Sequence, residues 1–293
     1  MYIIDFFKNL FKKSNVGIII WLVLNTALVV AMFSGGFTSL DGALLGLGLY
    51  LLSITIALSP IGEWILRWQN GCKKIKDPAI LSRLQPLFDE VYEKAKEMNP
   101  ELPDNIKLFM MNSDDPNAFA IGRKTVCITS AFLSYSDEHI KGVLGHEFGH
   151  LAHKDTDTIL VVAVGNLIIS VLFAIIRFIA NAVLRIGQFA ALMSDSWGGV
   201  VAAIFMGMYR FVADLMLALF MYLWTKLGVW LCMYTSRQNE FLADEYAHKC
   251  GYGDELCDVL ESFGTAKGSK GLFAALSSSH PDNIDRINKL RML

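Results

Sequence analysis

The chain has 293 residues, of which 54% are hydrophobic and only 18% are charged, and its mean hydropathy is +0.42. A soluble domain usually carries about a quarter charged residues, so this composition argues against an ordinary soluble protein and indicates a membrane protein. The net charge of −2 gives no indication of a nucleic-acid partner.

Four apolar stretches predict four transmembrane helices, which is improbable for a soluble fold. The predicted spans are Val16–Phe33, 43–58, 159–176 and 211–233. The last one is placed after Arg210 because a charge inside a membrane is costly. Asp214 follows Arg210 by four residues, and we expect two such charges to be paired.

Basic residues beside the first two spans predict the orientation of the chain. They are Lys8, Lys12 and Lys13 before the first span, and Arg67, Lys73, Lys74 and Lys76 after the second. The loop 35–41 has none, so this loop is expected outside and both termini in the cytosol. The loop near Arg177 and Arg185 weakens this rule locally. The first span is expected to be a retained anchor, because it is long for a signal peptide and no small-residue cleavage pattern follows it clearly.

The segment after the second span predicts an α+β unit. Pro78–Met98 is an amphipathic pattern with apolar residues on one face, namely Leu81, Leu84, Leu87, Phe88, Val91 and Ala95. Strands are predicted at 106–111, Ala118–Ile121 and Thr125–Thr129. Five cysteines without a C-x-x-C pair indicate buried thiols in a reducing compartment.

A metal-binding pattern follows in His146-Glu147-Phe148-Gly149-His150. Residues four apart lie on one face of a helix, so both imidazoles can bind one zinc ion, and Glu147 can take a proton from the water that zinc activates. Ser136 is expected to cap this helix, which is predicted to continue through Lys154 and Asp155 toward the third span. The alternative is a helix with two surface histidines.

A third ligand is predicted at Glu240, on a helix that the fourth span enters directly. Two histidines and one glutamate leave the fourth position of a catalytic zinc open for water. Asp244 lies one turn later and can accept a hydrogen bond from the second ring nitrogen of a zinc histidine. The alternative is an exposed helix with ordinary acidic residues.

In their order and spacing these motifs resemble those of the HtpX-like membrane zinc metalloproteases, bacterial relatives of the CAAX prenyl endopeptidases. The pieces that carry the resemblance are 116–123, the H-E-F-G-H helix, Asp155, the segment 236–244, Ser279-His280-Pro281 and Arg286-Ile287. The resemblance implies a gluzincin-like catalytic domain, one zinc per chain and a multi-pass protein of the bacterial cytoplasmic membrane. It also implies proteolysis of damaged or unfolded membrane proteins, as in a stress response.

Three further residues are weaker candidates. Asn117 can hold a substrate carbonyl or simply form a turn, and the strand that follows it can pair with an extended substrate. His280 can stabilise the oxyanion, or it is a surface histidine before a proline. Arg286 can support Asp244, bind substrate, or lie on an exposed helix.

The sequence therefore predicts an α-helical membrane protein with about four transmembrane helices and an α+β catalytic domain split by a membrane hairpin. The expected parts are a hairpin at 1–60, catalytic halves at 61–157 and 235–293, and a second hairpin at 158–234. Two alternatives remain, a prenyl-peptide processing protease and a membrane adaptor that uses zinc only for folding. Intact Glu147 argues against the adaptor, because a structural site needs no general base and usually has four protein ligands.

Overall fold

The computed structural model describes residues 2–10, 15–194, 196–262 and 283–293. The helices are α1 Tyr2–Leu10, α2 Val16–Phe33, α3 Leu40–Ala57, α4 Pro60–Gln69, α5 Pro78–Met98, α6 Asp137–His153, α7 Thr156–Leu160, α8 Asn166–Leu192, α9 Trp197–Lys249, α10 Gly253–Ser262 and α11 Asn283–Leu290. The strands are β1 Lys107–Met111, β2 Ala118–Ile121 and β3 Thr125–Thr129.

Four helical segments in the described residues are long and apolar enough to cross a membrane, as predicted. They are Val16–Phe33, Leu40–Ala57, Thr156–Leu192 and Trp197–Gly228. The first has the predicted limits, whereas the second begins three residues early because Ser39 caps it by accepting the N–H of Gly42. The last two are longer than predicted, because the predicted spans stop before Arg177 and start after Arg210.

Those arginines are accommodated by polar partners, and Asp214 is paired between helices with Arg177 rather than with Arg210. Asp214 instead accepts hydrogen bonds from Arg177 Nε at 2.5 Å and from Asn181 at 3.2 Å, whereas Arg210 contacts Gln188. Arg177 lies inside α8 rather than in a loop. Because α8 and α9 bring opposite charges together, the apolar helices extend past Arg177 and Arg210, which were expected to limit the spans.

The chain divides into two compact units, Met1–Gly165 with Val229–Leu293, and Asn166–Gly228. The first contains the hairpin of α2 and α3, the sheet, α6 and the segment around Glu240. The two predicted catalytic halves therefore belong to one unit, although about 60 residues of the other unit separate them in sequence.

The three strands form one sheet in the order β1-β3-β2, and the predicted strand positions are confirmed. β1 is parallel to β3 and β2 is antiparallel to it. Among the described strands, β2 therefore has one edge that no strand occupies. It lies beside α6, so an extended peptide added to this edge would run next to the helix of the two histidines.

The core lies between α5, the sheet and α6. The side chains of Leu84, Phe88, Val91 and Phe148 are buried there, and the Phe148 ring lies 5.3 Å from that of Phe88. The predicted helix α5 is confirmed, but Leu81 on its expected apolar face is exposed. The turn at the start of α5 contributes little to this core, since buried residues begin only at Leu84.

The predicted continuation of α6 toward the third span is wrong. Lys154 adopts a left-handed conformation with φ of 62°, which ends α6 at His153, and α7 begins at Thr156. A left-handed residue redirects the chain at a helix end. Asp155 is consequently turned back toward the last turn of α6.

Candidate metal centre

The candidate metal centre is built mainly on α6. Ser136 caps this helix as predicted, by accepting the N–H of His139 at 3.2 Å, and Asp137 and Glu138 occupy its first turn. Carboxylates in the first turn interact favourably with the positive end of the helix dipole and stabilise the helix. His146 and His150 lie one turn apart near the other end, and their rings are perpendicular with centroids 4.7 Å apart.

A glycine allows the second element of the site to approach α6 closely. A Cβ added at Gly149 would lie 2.7 Å from the Cα of Ala243 in α9, closer than such atoms come in proteins. The backbones of the two helices therefore touch at this point. Glu240 and Asp244, one turn apart on α9, are thereby brought against the two histidines.

Three side-chain donors converge at the predicted ligand positions. His146 Nε2 lies 3.1 Å from His150 Nε2, and the two nitrogens each lie 3.4 Å from a carboxylate oxygen of Glu240. Donors that bind zinc tetrahedrally at its usual bond lengths of about 2.0–2.2 Å are roughly 3.4 Å apart. The separations in this structure match that requirement.

The hydrogen bonds of the two rings also favour a cation between them. His146 Nδ1 lies 2.8 Å from Asp244 Oδ1, and His150 Nδ1 lies 3.3 Å from Asp155 Oδ2. A carboxylate only accepts, so each Nδ1 carries a proton, and in the neutral ring each Nε2 then presents a lone pair. Two such lone pairs and a carboxylate facing one another repel unless a positive ion lies between them, so the residues fit a bound zinc.

Arg286 completes the buried charges around the site. Its guanidinium donates to Asp244 at 2.5 and 2.8 Å and lies 3.6 Å from Glu240 Oε2. Burial acts to raise the pKa of the Asp244 carboxyl, but the hydrogen bonds and charge of Arg286 outweigh it and hold this pKa well below its ordinary value. Asp244 is therefore ionised and suited to orient His146.

Burial acts to lower the pKa values of both histidines, and for His146 the charge of Arg286 acts in the same direction. The surrounding carboxylates outweigh these effects and raise both pKa values. The same negative field that attracts a proton attracts a metal ion, which competes with the proton for the Nε2 atoms.

The remaining candidates are placed as follows. Glu147 is buried, with 3% of its surface exposed, directly after the first histidine. Asn117 precedes β2, and its main chain is paired with Thr129. Arg286 is buried against Asp244, which fits the reading that it supports this carboxylate and does not fit the alternative of an exposed helix. His280 lies outside the described residues.

Sequence analysis did not assign a role to Asp155, the partner of His150. The residue was named in the family resemblance and in the predicted continuation of α6, without a role at the site. Its position after the left-handed Lys154 is what aims its side chain at the ring. A helix continuing through both residues, as predicted, would have placed Asp155 five positions on and on another face of α6.

Comparisons with known proteins found a matching family, similar sequences and a similar structure. The family model for peptidase family M48 matches residues 82–293. Protease HtpX of Pseudomonas entomophila is 28% identical, over 96% of this chain and 97% of that protein, and protease HtpX of Hahella chejuensis is 28% identical over 93% and 98%. The crystal structure of S. mikatae Ste24p is 18% identical with a TM-score of 0.41, covering 92% of this chain and 61% of that one.

Proposed function

The chain belongs to peptidase family M48, and on that premise we propose that it is a zinc-dependent endopeptidase acting on unfolded or damaged membrane proteins. The observation that carries the proposal is the convergence of His146, His150 and Glu240 at separations that suit one zinc ion. Four apolar helices support a multi-pass protein of the membrane.

His146, His150 and Glu240 would hold the metal. Bound zinc supplies a Lewis acid that polarises a carbonyl and lowers the pKa of a water to about 7. The Glu147 carboxylate takes a proton from the attacking water and passes it to the leaving amine. Asp244 and Asp155 keep the two imidazoles in the tautomer that presents Nε2.

The substrate is proposed to bind as an extended strand along the edge of β2. Main-chain hydrogen bonds to such an edge tolerate many side chains, which suits a protease for diverse unfolded segments. Asn117 lies at the start of this edge, and we propose that its amide holds a substrate carbonyl. His280 is proposed as an oxyanion donor on the family resemblance alone.

The proposal favours an enzyme over a membrane adaptor. A structural zinc usually has four protein ligands, whereas the described residues contribute three to this cluster. The buried carboxylate of Glu147 beside the cluster has a use in hydrolysis and none in a closed site. Among the described residues, no contact favours prenylated substrates.

Cleavage of an unfolded protein by the purified enzyme tests the activity. We expect the protein in detergent to hydrolyse internal peptide bonds of casein, to lose this activity with a chelator, and to regain it when zinc is added. Release of single terminal residues only would contradict an endopeptidase. Cleavage that persists after complete metal removal would contradict the zinc mechanism.

The proposed orientation places both termini and the catalytic unit in the cytosol of a bacterium, with the loop 35–41 outside. A cysteine at Ser39 should react with an impermeant thiol reagent on intact cells, in a variant without the native cysteines. The control cysteine at Ser113, beside the sheet, should react only after the membrane is opened. Reaction at Ser113 in intact cells would invert the topology.

A further inference from the structure

Helix α4 has a buried face and a large exposed apolar face. Gly62, Glu63 and Leu66 are buried. Ile61 and Trp64 are each 58% exposed and Trp68 is 72% exposed, and their spacing of three and four residues places all three on one side of the helix. A cluster of this size facing water is unusual in a folded protein and marks an interaction surface.

The position of α4 in the chain indicates what covers this surface. It begins at Pro60, directly after the membrane span α3, and Ser59 caps it by accepting the N–H of Ile61. A Cβ added at Gly62 would lie 1.9 Å from the carbonyl oxygen of Ala57, so the chain turns tightly between the two helices. The first turn of α4 is therefore at the level where the span leaves the hydrocarbon.

The composition of this region fits a lipid surface. Tryptophan is enriched where a membrane meets water, because its large apolar ring and its N–H suit the headgroup region. The residues that follow α4 include the exposed lysines Lys73, Lys74 and Lys76, which complement anionic headgroups. A polar partner protein would match neither feature as well.

The buried face of α4 is attached to the catalytic unit. Glu63 accepts the backbone N–H of Arg123 at 2.7 Å, and a Cβ at Gly122, where φ is +56°, would collide with the Glu63 side chain. Arg67 donates to Thr125 Oγ1 at 2.8 Å. These contacts hold the turn that joins β2 to β3.

The same turn is also attached to α1, the helix that precedes the first membrane hairpin. Arg123 Nη1 donates to Asp5 at 2.7 Å, and Arg123 Nη2 donates to the backbone oxygen of Tyr2. Both residues are in α1, which precedes the span α2. The N-terminal end of α2 and the C-terminal end of α3 lie at the same end of their hairpin, so α1 and α4 approach the turn from the same membrane surface.

We propose that α4 is an interfacial helix whose Ile61, Trp64 and Trp68 lie in the headgroup region of the bilayer, and that it fixes the height of the β2–β3 turn above the membrane. The bilayer thereby positions the edge of β2 through Glu63 and Arg67. This surface is distinct from the metal centre, and its lipid contact does not depend on peptidase activity.

Nitroxide labels placed singly at positions 64 and 68 test the contact with lipid. Each label is attached to a single cysteine in a variant whose five native cysteines are replaced. The labelled protein is reconstituted in vesicles of phosphatidylethanolamine and phosphatidylglycerol. The quantity measured is the ratio of a label's accessibility to oxygen to its accessibility to a water-soluble nickel chelate. This ratio should be several-fold higher for both labels than for a control label at exposed Glu93 of α5. Equal ratios at all three positions would overturn the proposal. So would spin–spin coupling between copies or low accessibility to both reagents, because either result indicates that a protein covers the surface.

Intrinsic fluorescence provides a second test with all native cysteines present. The difference in emission between the wild-type protein and the double variant Trp64→Phe/Trp68→Phe reports the two tryptophans. This difference should be quenched by lipids brominated high on the acyl chain and only weakly by aqueous iodide. The reverse order of quenching would overturn the proposal even if the cysteine-free protein does not fold.

Discussion

The replacement Asp244→Asn tests how the buried charges support the metal centre. Asparagine keeps the shape and can still accept the N–H of His146, but it removes the charge that neutralises Arg286. The guanidinium lies 2.5 Å from Asp244 and 3.6 Å from Glu240, so Glu240 would become its closest remaining carboxylate among these three residues. Arg286 would then compete with the metal for a ligand.

Changes to groups that orient metal ligands usually reduce affinity or activity by about 10- to 100-fold. We expect Asp244→Asn at the upper end, with a zinc dissociation constant raised by about 100-fold, or about 2.7 kcal/mol. Asp155→Asn is the matched control, because Asp155 orients the other histidine from a longer distance of 3.3 Å and its side chain is 18% exposed. It should weaken zinc binding by only about 10-fold.

Competition with a chromophoric chelator, on purified protein in detergent at fixed pH, measures both constants. A larger loss for Asp155→Asn than for Asp244→Asn would refute the reasoning from burial and charge. So would an Asp244→Asn protein that binds zinc as tightly as the unsubstituted chain.

Two further predictions concern packing and the second hairpin. Gly149→Ala should lower the free energy of unfolding by about 1–3 kcal/mol and weaken zinc binding, because the new methyl group forces α6 and α9 apart. Gly48→Ala, where a Cβ meets no atom within 4 Å, should be neutral or slightly stabilising, and equal thermal shifts for the two variants would contradict this. Asp214→Leu and Arg177→Leu should each lower the melting temperature in detergent, and the double variant should lose less than the sum of both. Additive decreases in melting temperature would mean that Arg177 and Asp214 are not energetically coupled.

Much of the fold could be predicted because its determinants are local. The first span, the strands Ala118–Ile121 and Thr125–Thr129, and helix α5 follow from runs of apolar residues whose period is set by the element itself. The Ser136 cap likewise depends on residues within one turn. That His146 and His150 lie on the same face of α6 follows from helical geometry alone.

The errors arose where the decisive partner is distant in sequence. Arg177 and Asp214 are 37 residues apart, and no periodicity within either helix shows that they meet. Arg123 is likewise stabilised by Asp5 and Asp157, 118 and 34 residues away. Such pairs are fixed by tertiary structure, so the sequence placed Arg177 and Arg210 at the limits of predicted spans and gave no partner for Arg123.

The break after α6 was missed for a different reason. Left-handed residues at helix ends are usually glycine or asparagine, whereas this position is a lysine. The hydrogen bond from His150 to Asp155 accompanies this conformation. The sequence thus predicted the three residues that converge at the candidate metal centre. The position of Asp155, which contacts one of these histidines, depends on a backbone conformation that the local residue types do not indicate.

The replacement Glu147→Gln tests the central claim most directly, that this chain hydrolyses peptide bonds with a zinc ion and a glutamate base. Glutamine preserves the shape of the side chain but cannot accept the proton of the attacking water. We expect the purified variant to retain one zinc per chain by elemental analysis and to lose casein cleavage. Turnover like that of the unsubstituted protein would contradict the account.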